Sequence, residues 1–64
     1  MHLTKKKALF YFKETILPAV KFKHEYNGQI DIPARREAWN DFTDRLFKDG
    51  LISEKQLDTW YNPF

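Results

Sequence analysis

The chain is expected to be all-α: a small three-helix domain with its first helix bent at Pro18 and a short C-terminal helix. Three observations carry that expectation. Apolar residues recur at helical spacing in three segments, Asn27-Gly28 and Asp49-Gly50 stop the first two, and Ser53 to Gln56 spells the start of the third. The whole of 1–64 reads as a single helical domain, with no internal repeat, low-complexity run or linker.

Thr4 is the expected N-cap of the first helix, which the pattern carries from Lys5 to about Tyr26. At 100° per residue Ala8, Phe12, Ile16, Ala19 and Tyr26 share one face, with Leu9 and Val20 beside them. Pro18 interrupts the segment. It has no N–H and its ring crowds the carbonyl of Glu14, so a kink follows, and Leu17 is disfavoured in the right-handed helical region; one bent helix is preferred over a helix to about Ile16 followed by a short one that Pro18 opens. Asn27-Gly28 tolerates the left-handed backbone that ends a helix.

Gln29 to Ile32 reads as an extended connector, with Pro33 as the first residue of the second helix and Asp31 facing its positive end. Ala34, Ala38, Phe42 and Leu46 then follow i, i+4 spacing with Trp39 on the flank, so Trp39, Phe42 and Leu46 are expected in the core. Asp41–Arg45 and Asp44–Lys48 are acid-before-base pairs of a solvated face. Arg35 lies four residues before Trp39 and could stack on it. Gly50 ends this helix. Ser53 and Gln56 form a capping box for the third, with Ile52 and Leu57 as its hydrophobic staple. Leu57, Trp60 and Tyr61 supply its apolar side before Asn62-Pro63-Phe64 closes it.

Size limits what such a domain can bury. A chain of 64 residues hides only about 60% of the surface it exposes when unfolded. Without cysteine there is no disulfide and no thiolate metal site. Rings compensate: aromatic residues make up 17% of the chain, and each can bury roughly 150–250 Å². Some of that aromatic surplus could instead serve an interface, and a homo-oligomer is one such reading. A hydrophobic fraction of 42% and a net charge of +2 argue against disorder. No stretch approaches a membrane span, and Ala8 to Phe12 is too short for a signal-peptide core, so a cytoplasmic protein is expected.

Catalytic chemistry finds little support. Gly28 and Gly50 are both helix stops, leaving none for a phosphate loop, and Thr4 and Ser53 are better used as caps than as nucleophiles. His2 and His24 stand far apart in sequence, and Asp41 and Asp44 lie on a polar helix face. No catalytic residue, metal ligand or cofactor is assigned, and the chain is expected not to be an enzyme.

Two interaction signals remain. Residues 1–27 carry six lysines against Glu14 and Glu25, a net of +4, while residues 28–64 net −2. On the first helix Phe10 and Leu17 fall away from the main core face among Lys6, Lys13 and Lys21. These five residues are the expected partner-binding set, for an acidic protein or, alternatively, for nucleic acid. The competing structural reading has a bent helix bury both faces, with lysine stems lying over them. The second signal is Gly50 to Ser53, which has the outline of a helix-turn-helix corner. A reading helix from Ser53 would offer Glu54 and Asp58 to phosphates, so a generic corner is preferred. Asn62-Pro63-Phe64 matches a tripeptide read by some eukaryotic trafficking domains, but a turn and apolar plug account for it.

The run Pro33-Ala34-Arg35-Arg36-Glu37-Ala38-Trp39-Asn40-Asp41-Phe42-Thr43-Asp44 resembles a group of short, uncharacterised proteins of bacteriophages and related mobile elements. So do Lys48 to Ser53, Gln56, Trp60, Asn62 to Phe64, and Ala8-Leu9, Phe12 and Ile16 to Ala19 in the first helix. The resemblance covers most of the chain and carries no assigned activity. It implies a small accessory protein that binds a host protein in takeover or counter-defence, within the host cytoplasm.

Overall fold

The structure, a computed structural model, describes residues 2–64. Helix α1 (Lys5–Tyr11) passes through a π-helical turn (Phe12–Ile16) into α2 (Leu17–His24), making one bent arm. Helix α3 (Ile32–Lys48) returns along the arm, and α4 (Glu54–Thr59) closes the domain. The molecule measures 39 × 18 × 18 Å. The three-helix, all-α expectation holds, with the short C-terminal helix in place.

Most boundaries follow from the residues expected to set them. The Thr4 hydroxyl accepts the Lys7 N–H at 3.2 Å. Asp31 caps α3 by accepting the Ala34 N–H at 3.1 Å, and the helix opens one residue before Pro33, at Ile32. The capping box of α4 is complete: the Ser53 N–H donates to Gln56 Oε1 at 2.7 Å, and the Gln56 N–H donates to Ser53 Oγ at 3.1 Å. Gln56 also donates through Nε2 to the Leu3 carbonyl at 2.8 Å, tying α4 to the segment before α1. Gly28 and Gly50 sit at φ of 84° and 77°, values that favour glycine at a helix stop.

The bend takes a form the sequence pattern did not disclose. Directly ahead of Pro18, the Leu17 N–H donates to the Phe12 carbonyl, five residues back. The Thr15 hydroxyl satisfies the Tyr11 carbonyl at 2.6 Å. A wide turn here relieves the crowding that a proline imposes on a tight helix, and it inserts one residue into the ladder. Every later residue is thereby rotated relative to a uniform 100° wheel. Leu17 and Val20 turn inward behind Ala8 and Phe12, while Ile16 is half-buried and Ala19 is exposed. Leu17 keeps right-handed helical angles despite preceding a proline, a preference outweighed by its burial in the core. Because α2 ends at His24, Tyr26 lies in the turn and is 83% exposed.

The core is a ring stack. Phe12 is fully buried, with its ring centroid 5.4 Å from Trp39, 5.6 Å from Phe42 and 5.3 Å from Phe64. Such tilted and edge-on pairs add to the burial of the rings themselves. Trp39 and Leu46 are buried as expected, while Phe42 packs at the rim of the cluster and stays partly open. Ile52 is buried and Leu57 packs against the core, the two ends of the expected staple.

Candidate interaction surface

Phe10 stands two residues from both Ala8 and Phe12, so a helix of 3.6 residues per turn points it away from the core. It is 59% exposed and meets the Tyr11 ring edge-on at 5.8 Å. Lys6 and Lys13, four residues before and three after, are both exposed, as is Lys21 on α2. Among the described residues the ion pairs are Glu25–Arg35 and Asp44–Lys48, so none of these three lysines is neutralised in this way. Leu17 departs from the expected set. The inserted residue of the π-turn carries it into the core at 8% exposure, and it cannot meet a partner there. The surface that remains is Lys6, Phe10 and Lys13, with Tyr11 as an apolar neighbour and Lys21 further along the arm.

Glu25 and Arg35 make the one ion pair of the described residues that lies almost wholly out of solvent. Arg35 donates through Nε and Nη2 to the two carboxylate oxygens, each at 2.7 Å, and the Asp31 N–H adds a third bond at 3.1 Å. Arg35 is therefore engaged with the arm, and no stacking on Trp39 is seen. The guanidinium bonds hold the Glu25 carboxyl down at about 2 against the burial that opposes ionisation, with the Asp31 N–H and the Lys21 charge helping. This clamp fastens the 25–31 turn to α3. It is fully committed within the fold, which makes it a structural element.

The C-terminal segment is equally committed. Asn62 donates through Nδ2 to the Arg36 carbonyl at 3.1 Å and to Asn40 Oδ1 at 3.2 Å, and accepts the Phe64 N–H at 2.9 Å. Arg36 Nε donates to the Phe64 carbonyl at 2.8 Å. The tripeptide is a turn and a plug, as expected. Helix α4 spans six residues, too short to lie along a DNA groove as a reading helix.

Opposite this tail the arm and α3 leave an open trough. Two adjoining hollows of about 350 and 330 Å³ share Ala38 and Asp41. The first is lined by Ile16, Ala38, Asp41, Phe42 and Arg45, and the second extends toward Val20, Lys23 and Glu37. Ala38 is two residues from both Arg36 and Asn40, or about 200° around α3, which puts trough and tail on opposite faces of the hairpin. A uniform wheel conceals this trough because it sinks Ile16 and Phe42 into the core. The adjacent small residues Ala34 and Ala38 were its only sequence signal.

Among the described residues no set of three His, Asp or Glu side chains is placed to hold a metal, and no buried side-chain polar atom lacks a partner. No helix of the described residues is long and apolar enough to cross a membrane. No family model, curated protein or solved structure matches the chain.

Proposed function

We propose that the protein is a non-catalytic accessory module of phage type that binds a host protein in the host cytoplasm through the basic, ring-bearing face of α1. The observation that carries this reading is Phe10, largely exposed on the arm between Lys6 and Lys13, neither of which has an ion-pair partner among the described residues. An exposed aromatic anchor supplies contact area, and flanking cations steer an acidic partner toward it. The residues best suited to bond-making support the same view. The hydroxyls of Thr4 and Ser53 are occupied by helix N–H groups, and the paired Glu25 and Arg35 hold the fold.

Changing Lys6, Lys13 and Lys21 together to Glu is expected to abolish capture of the partner from host lysate while the helical circular dichroism is kept. Unaltered capture by a folded variant overturns the assignment. The second reading, nucleic-acid binding by the same lysines, is favoured only by the ring pair Phe10–Tyr11 within their field. It requires a mobility shift at low salt that weakens steeply as salt rises, and no shift at low salt removes it.

A further inference from the structure

We propose that Asn27-Gly28 is a self-modifying site, at which Asn27 loses its amide to become aspartate and isoaspartate at a rate the Glu25–Arg35 clamp controls. The chain has three asparagines, and asparagine is among the heat-labile side chains. The reaction uses the main-chain nitrogen of the following residue as its nucleophile. Asn62 precedes Pro63, whose nitrogen carries no hydrogen to lose. Asn40 lies inside α3, where the N–H of Asp41 belongs to the helical ladder and the backbone is held away from ring closure. Asn27 alone stands in an exposed turn before a glycine, and Gly28 has no Cβ to shield its nitrogen.

The turn also prepares the electrophile. Asn27 Oδ1 accepts the Gln29 N–H at 3.1 Å, which folds the side chain over the Gly28 peptide. The same bond draws electrons from Cγ. The Gly28 nitrogen gives up its proton and attacks Cγ; the Cγ–Nδ2 bond breaks, ammonia leaves, and a succinimide closes. Water then opens the ring. Opening at Cγ gives aspartate, and opening at the main-chain carbonyl gives isoaspartate, with an extra methylene in the backbone. Asp49-Gly50 is the comparable pair at the other glycine turn. There an ionised carboxylate resists attack, and isomerisation by loss and return of water leaves the mass unchanged.

One contact restrains the step. The Gly28 N–H donates to the Glu25 carbonyl at 3.0 Å, so the nucleophile is occupied while the turn is closed. Glu25 is itself fixed by two bonds from Arg35 and one from the Asp31 N–H. Opening the turn therefore means releasing the clamp. The product acts back on it, because a new carboxylate or a longer backbone between Glu25 and Asp31 spoils that fit. The site lies at the far end of the arm from Phe10 and does not depend on the function proposed above.

The full chain, held folded at neutral pH and sampled by mass spectrometry, should gain about 1 Da at Asn27, ammonia out and water in, while Asn40 and Asn62 stay intact. Glu25→Ala should react about tenfold faster, the worth of one charge-assisted bond in the opening equilibrium. Arg35→Lys, which keeps the charge but loses the two-pronged bond, should fall between the two. Circular dichroism checks that each variant folds, and in urea all three chains should react at one rate. In the purified isoaspartate form the amides of Lys21 to Glu25 should exchange faster than in the parent. A folded chain that gains no mass while the unfolded chain does, a gain at another asparagine, equal rates for the folded wild type and both variants, or unchanged exchange in the isoaspartate form would overturn the proposal.

Discussion

The two ends of the helical hairpin are held by different physics. Where α4 packs on α3 and the tail reaches the π-turn, three rings pack around Phe12. At the 25–31 turn only α2 and α3 meet, and the joint is the Glu25–Arg35 clamp with a glycine turn beside it. Apolar burial is close to proportional to area and depends little on pH. A clamp of charges is geometrically exact but fails when either charge is lost. A small domain can thus be rigid at one end while resting on a few polar bonds at the other.

The sharpest break is at the thick end. Phe12→Ala should cost about 3–5 kcal/mol, enough in so small a domain to leave no folded population. Phe22→Ala, at a ring 87% exposed, should leave the denaturation midpoint almost unmoved. Chemical denaturation followed by circular dichroism measures both.

The joint between the ends comes next. Leu17→Ala should cost about 2–4 kcal/mol, clearly more than Ile16→Ala, because the π-turn buries the former and leaves the latter half-open. A uniform helix through this region reverses the ranking, so the pair of denaturation curves tests the turn itself.

That ranking marks where the sequence stopped being informative. Caps and stops are local and legible: Thr4, Ser53 with Gln56, and Gly50 each act within a few residues, whereas α2 ends at His24, ahead of the Asn27-Gly28 stop. Asp31 acted as expected too, though it set the start of α3 one residue early. The π-turn escaped because its signal is a single extra residue between Phe12 and Leu17, which a fixed 100° wheel misreads as a change of face. Pro18 announced a bend but not its form. Glu25–Arg35 escaped because ten residues and a turn separate the partners. Of the expected interaction set, Lys6, Phe10, Lys13 and Lys21 reach the surface, and Leu17 is lost to that same inserted residue.

At the thin end the effect is one of pH. The Glu25 carboxyl titrates at about 2 in the folded chain against an ordinary 4.5. Its contribution to stability is therefore complete above pH 4.5 and disappears as pH falls toward 2. Wild type should lose stability across that window, and Glu25→Gln should be less stable at neutral pH with a flatter acid limb. Parallel acid limbs would show that the clamp does not fasten the turn. The smallest change expected is at Asp44–Lys48, a solvent-exposed pair at 3.0 Å. Lys48→Ala should shift stability by less than about 0.5 kcal/mol.

Native-state hydrogen exchange along the bent arm tests the contrast most directly. Amides from Ala8 through Leu17 should exchange only through global unfolding, while those of Lys21 to Glu25 should open locally at clearly lower free energy. Equal protection from one end of the arm to the other would contradict the account.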